Sequence, residues 1–273
     1  WINEGVRRKT MANKYLMRED SPLEDTTWAV LDSTMVEAAK SVLTGRKILD
    51  IEGPYGFGLK AIPLQDCIGD GGVIISDMLP LNLIQTTFSV GKRDLAAYER
   101  DSLFLNLEGI ACAAMECARL EDALIFQGPT GKDGLMTMED SGSVNLSSWK
   151  QVGKAADDTI QSITALDQVG FHGPYCMALS PSRYNLLFRR YPQGGTELEH
   201  LQEMVHGGIF KAPVLDSGGV ILTMGRQFAS IVLGMDMQVG FTGPVGESLE
   251  FTISESLALM VREPGAICVL REK

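Results

Sequence analysis

The chain predicts an α+β fold, with long amphipathic helices beside a mostly antiparallel set of strands. Apolar residues recur at helical spacing over residues 25–43 and 106–127, while from residue 218 onward short β-rich runs alternate with turns. Between them, residues 63–80 read as a long two-stranded excursion around Gly69-Asp70-Gly71-Gly72. A hairpin of that kind cannot bury both faces within its own subunit, so it requires a neighbour.

The first helix follows from Trp28, Leu31, Met35, Ala38 and Val42, with Asp25 or Thr26 to cap it and Gly45 to end it. Extended runs are expected over residues 47–51, 73–76 and 82–90. The longest helical pattern, residues 106–127, carries Ile110, Ala114, Cys117, Leu120, Leu124 and Ile125 near one face and breaks at residues 128–134. A second long helix is predicted over residues 148–169, with Ser147 as cap and Gly170 as stop. A strand at 176–179 then leads into a helix opened by Pro181, whose missing N–H costs nothing in a first turn. After the Gly/Pro break at residues 189–196 comes a helix at 197–205. Strands are expected at 220–223, 230–233, 238–241, 249–261 and 267–270.

A length of 273 residues with 45% hydrophobic content suffices for a substantial core. The net charge of −11 argues against wholesale nucleic-acid binding, which needs a cationic footprint. Cys67, Cys112, Cys117, Cys176 and Cys268 lie in mostly apolar surroundings and read as buried, reduced thiols. No apolar run is long enough to span a membrane and the basic start lacks the apolar centre of a secretory signal, so the expected location is the cytoplasm. Met11 reads as a natural start, which leaves residues 1–10 as an extension, a processing remnant or an artefact.

Catalytic motifs are missing. His172, His200 and His206 fall in no metal-binding spacing, and Cys112 and Cys117 sit badly for a shared ligand on one helix. Gly131-Lys132 is not a phosphate loop, because Phe126 stands where that motif needs Gly and Asp133 where it needs Ser or Thr. No catalytic or metal-ligating residue is therefore expected, though a dispersed triad would leave no trace in sequence.

The run from Gly45 to Gly56, Gly-Arg-Lys-Ile-Leu-Asp-Ile-Glu-Gly-Pro-Tyr-Gly, resembles the signature after the N-terminal helix of encapsulins, bacterial and archaeal shell proteins with the fold of tailed-phage capsids. The likeness continues in order through Phe88-Ser89-Val90, Tyr98-Glu99-Arg100, Glu121 to Gly128, Gly173-Pro174-Tyr175, Leu179 to Tyr184, Gly207-Gly208-Ile209, Leu233 to Asp236 and Glu255 to Leu259. It covers about residues 22–270.

The resemblance implies an HK97 phage-capsid-like fold: an N-terminal arm (1–24), a helix opening the peripheral domain (25–58), an extended loop (59–83), the peripheral domain with its spine helix (84–145), an axial domain (146–232) and return strands (233–273). It implies copies of the chain closing into an icosahedral nanocompartment around a cargo enzyme, a ferritin-like iron oxidase or a peroxidase, with pores for small molecules and no nucleic-acid or membrane partner. Cargo would dock by a C-terminal peptide, with Arg46 and Asp50 bordering a groove floored by Ile48, Met237 and Val239. The alternative is that Arg46 and Asp50 only pair with neighbouring charges. Arg190, Tyr191, Gln193, Gly194, Gly195 and Thr196 would line the five-fold pore; a plain interhelical turn is the other reading of that loop. Some family shells hold flavin against a Trp where this chain has Arg93, so no cofactor is carried over. The runner-up is a phage major capsid protein, and a hydrolase is the reading from another class.

Overall fold

The structure, a computed structural model, describes residues 13–272; the expectations for residues 1–10 and for a start at Met11 lie outside that range. Helix α1 spans Asp25–Val42 and buries Trp28, Leu31 and Met35, the stripe expected from its spacing. Residues 47–51 differ from expectation. A single helical turn, α2 (Gly45–Ile48), precedes a short strand β1 (Asp50–Glu52). The turn forms because Asp122 accepts the backbone N–H groups of Thr44 and Gly45, both at 2.9 Å, supplying the partner that a helix N-terminus lacks.

Strands β2 (Ala61–Ile68) and β3 (Ile74–Pro80) pair only with each other and make the expected hairpin. β4 (Asn82–Gly91) returns the chain to the main sheet and runs into α3 (Lys92–Asp101); α4 (Glu108–Phe126) follows as the long helix behind that sheet. β5 (Gly142–Asn145), not anticipated, precedes α5 (Lys154–Gln168). α5 starts later than predicted. Gly153 has φ 98°, and the buried carboxylate of Glu197, not Ser147, accepts the N–H groups of Gly153 and Ala155. Ser147 instead donates to Asp158 further along the helix.

Then come β6 (Tyr175–Leu179), α6 (Pro181–Leu186), α7 (Glu197–Gln202), an unanticipated β7 (Ile209–Lys211), β8 (Gly219–Thr223), β9 (Ala229–Val245), β10 (Ser248–Val261) and β11 (Ile267–Arg271). The two strands expected at 230–233 and 238–241 are one, β9, kept continuous by its register shifts against β10.

Besides the hairpin, two sheets form among the described residues, ordered β1-β9-β10-β4 and β5-β11-β8-β6-β7. The pairs β1/β9, β5/β11 and β6/β7 are parallel and the rest antiparallel. The second sheet separates two apolar cores. Cys176 and Ala178 of β6 point into the core shared with α1, α4 and β10, and Tyr175, Met177 and Leu179 into that beneath α5. The period of two in a strand thus explains why Tyr-Cys-Met-Ala-Leu is apolar throughout. Cys117, Cys176 and Cys268 are buried as expected, but Cys67 and Cys112 are exposed, on the hairpin and on the outer side of α4.

Phe251 anchors the larger core: it is fully buried, stacks on Phe88 at 5.2 Å and meets the edge of Trp28 at 5.8 Å. Phe251→Ala should cost about 3–5 kcal/mol, through lost burial and the cavity left between α1 and the sheet. Chemical denaturation at fixed protein concentration measures it.

Candidate functional site

Arg46, on α2, occupies a buried acidic centre. Its Nε and one terminal nitrogen donate to the two carboxylate oxygens of Glu121 on α4 at 2.7 and 3.0 Å, and the other terminal nitrogen donates to Asp236 on β9 at 2.8 Å. Glu255 on β10 completes the ring. All three guanidinium nitrogens are therefore committed inside the chain, and Arg46 fastens four elements together instead of reaching into a groove. Burial disfavours its charge, but the Glu121 hydrogen bonds and the surrounding carboxylates outweigh that and raise its pKa.

Glu121 and Glu255 are fully buried, and one oxygen of Glu255 has no hydrogen-bond partner. Burial, reinforced by the Glu121 charge, pushes the Glu255 carboxyl well above its ordinary value. Asp122, next in sequence to Glu121, is raised to about 6 by burial, against the pull of its two N–H donors. Burial likewise raises the thiol of Cys117 and leaves it protonated.

Ile48 is 2% exposed and Val239 not at all, so both belong to the core. Asp50 is exposed, and Met237 is nearly buried at the edge of a cavity of about 510 Å³. That cavity lies between α1 and β9 and is lined by Asp32, Met35 and Val36 from the helix, Met237 and Gln238 from the strand, and residues 13–20 from above. Residues 13–20 form two single 3-10 turns, Lys14–Leu16 and Arg18–Asp20. Sequence reasoning missed Arg18, Asp32 and Val36. Val36 carried the usable signal, being an apolar residue off the buried stripe of α1 and 40% exposed.

The loop at residues 189–196 is a tight reversal: Gly194 and Gly195 take φ 100° and 79°, a region closed to most side chains, and Arg190 bridges Thr196. Thr196 opens α7 through a reciprocal capping box with Glu199. Tyr191 Oη lies 2.9 Å from His200 Nδ1 beside a shallow recess lined by Gln193, Gly194, Gly195 and Thr196. The six expected rim residues lie on one largely exposed loop, interrupted by Pro192 and held from behind by Arg189, which donates to Glu197 at 3.3 Å.

Among the described residues, no group of three or more His, Cys, Asp or Glu side chains is arranged to hold a metal ion. No helix among them is long and apolar enough to cross a membrane.

The acidic centre yields a pH dependence. With its pKa raised, the folded chain keeps a proton on Glu255 that the unfolded chain releases near the ordinary carboxylate value. Stability from this group is therefore complete at low pH and is lost as pH climbs from the ordinary value toward the raised one. Glu255→Gln holds its hydrogens at every pH, so its thermal midpoint should decline less steeply than the wild type's as pH rises above the ordinary carboxylate range.

Residues 13–258 match the family described as encapsulating protein for peroxidase. A relative from Myxococcus xanthus, a type 1 encapsulin shell protein, is 30% identical over 94% of this chain and 96% of its own length. A virus-like particle from Pyrococcus furiosus superposes with a TM-score of 0.72 at 22% identity, covering 88% of this chain and 98% of that one. The capsid of the Myoviridae phage XM1 superposes at 0.58 and 12% identity, covering 82% and 90%, so the fold is that of tailed-phage capsids. Signature, fold and whole-length similarity agree: the chain belongs to the encapsulin shell protein family.

Proposed function

We propose that this chain is the subunit of a closed icosahedral compartment that encloses a cargo enzyme, a ferritin-like iron oxidase or a peroxidase, and that it serves as wall and not as catalyst. The β2–β3 hairpin carries this reading. Its strands pair with no other strand among the described residues, and it leaves Ile68 84%, Ile74 68% and Val73 60% exposed. Apolar surface on a strand ribbon with free edges calls for a symmetric partner of the same chain. The acidic charge of −11 favours protein over genomic DNA as content. Within a cell the particle's place would be the cytoplasm, with no membrane partner.

In this reading residues 25–58, 84–145 and 233–273 make the peripheral domain, 59–83 the extended loop and 146–232 the axial domain. Five copies of the 189–196 loop would meet at the five-fold axis, where the left-handed glycines let backbones approach closely and Arg190, Tyr191, Gln193 and Thr196 frame the opening. The groove between α1 and β9 would take an extended apolar peptide from the C-terminus of the cargo. Of the five expected cargo residues only Met237 lines this groove; Asp50 is exposed on β1 outside it, and Arg46, Ile48 and Val239 lie within the fold.

Deleting residues 65–76 should abolish closed particles while the chain stays soluble; elution near the void volume in size-exclusion chromatography, with normal shells in the electron microscope, would refute the assembly role of the hairpin. Val36→Asp, at the groove rim, should leave shells of normal size that hold at least about tenfold less native enzyme, since a charge in an apolar peptide site removes most of its burial energy. The protein content of purified particles measures it.

A further inference from the structure

Among the described residues, no strand pairs with the outer edge of β9 beyond residue 232, where β1 ends. Backbone groups on such an edge need partners, and here improvised ones supply them. The N–H groups of Tyr55 and Gly56 donate to the carbonyls of Leu233 and Gly234 at 3.0 and 2.6 Å. The Met237 N–H turns to the carboxylate of Asp236 at 2.9 Å. Arg18 Nε donates to the Val239 carbonyl at 2.8 Å. Arg18 belongs to residues 13–20, which lie along this edge and roof the groove described above.

The hold of that segment is narrow. Leu16 is its one buried residue, set against Gly240 so closely that a Cβ there would come within 3.1 Å of the Leu16 carbonyl oxygen. Arg18 pairs with Asp32 through both terminal nitrogens and lies over the Trp28 ring at 4.4 Å. Asn13 donates to the Met235 sulfur, and Tyr15 stacks on Phe57 at 5.9 Å while remaining largely exposed. Met17 sits at φ 54°, a left-handed conformation that a non-glycine residue rarely adopts. Beneath the segment a cavity of about 510 Å³ is left open. One side chain fills the groove in part, and one guanidinium answers the strand edge where a peptide backbone would answer it in full.

We propose that residues 13–20 are a self-ligand of this groove, a strap that an extended apolar peptide must displace before it adds as a strand to the outer edge of β9. The proposal rests on the reading of the groove as a peptide dock. Being tethered, the strap competes at the high effective concentration of an intramolecular ligand, so an outside peptide binds the intact chain only by exceeding it.

A test uses the strap as its own probe. A monomeric fluorescent protein ending in Asn-Lys-Tyr-Leu-Met-Arg-Glu-Asp is co-expressed with the full chain, with a chain lacking residues 1–20, and with full-length Leu16→Ala/Arg18→Ala in case the deletion does not fold. The shell chain retained when the reporter is purified is measured whatever its state of assembly. The strap-free or strap-weakened chain should be captured at least about tenfold more than the wild type, and Val36→Asp in that background should abolish the gain. Equal capture of wild type and variants, capture of none, or capture that survives Val36→Asp would overturn the proposal. The cargo reading fails separately: undiminished native enzyme in otherwise wild-type Val36→Asp shells would move cargo elsewhere without touching the strap result.

Discussion

The position of Arg46 governs how the long helix meets the β1-β9-β10-β4 sheet. Its side chain joins α2 to α4, β9 and β10 through Glu121, Asp236 and Glu255, of which Glu121 and Glu255 are buried and Asp236 half exposed. Burying Glu121 or Glu255 as an isolated charge would cost several kcal/mol, so these two are tolerable only because Arg46 is present. That mutual dependence gives the centre a single acceptable geometry. β9 must present Asp236, and α4 must place Glu121 and, one residue on, Asp122, which caps the turn carrying Arg46 itself. A ring closed in this way sets the register of helix against sheet more sharply than apolar contacts, which allow sliding. Where the charge of Glu255 is relieved by a proton, the same centre answers to pH.

Around that fixed point the fold keeps what must be rigid apart from what must meet other molecules. β6 and β8, buried on both faces, form a partition between two cores. The surfaces of interest hang from its margins: the hairpin beyond β4, the groove at the edge of β9 and the glycine loop before α7. Each is short of backbone partners or tightly turned, and the glycine loop is braced from behind by the buried carboxylate of Glu197. Glu197 shows the economy of this, since one carboxylate caps α5, receives Arg189 and stands at the first position of α7.

Much of the fold was legible because local chemistry and tertiary packing agree. The stripe of α1, the turn at Gly69 to Gly72 and Pro181 at the head of α6 each state their structure within a few residues. The elements that were misread depend on partners distant in sequence. α2 requires Asp122, the late start of α5 requires Glu197, and β5 and β7 exist only as additions to β11 and β6. For the candidate site, the loop glycines were visible because backbone conformations that exclude side chains leave a mark in sequence. The groove was only half visible. The family resemblance put Ile48 and Val239 on a groove floor, and their apolar character alone does not distinguish a core from a lined cleft; the roles of Arg18 and Asp32 lie in a pairing across fourteen positions that no local pattern encodes.

The hairpin has a consequence for how this chain exists in solution at all. A subunit that shows Ile68, Val73 and Ile74 to water has, in the proposed assembly, a folded state incomplete on its own that contacts between copies would complete. Its apparent stability is then a property of concentration as well as of sequence, because association draws the folded form away from the unfolded one by mass action. A dilute chain and a crowded one differ in how firmly they are folded. Newly made copies are at their most vulnerable to misdirected pairing before enough neighbours have accumulated, so the rate of synthesis in the cell becomes part of the structural problem the protein has to solve.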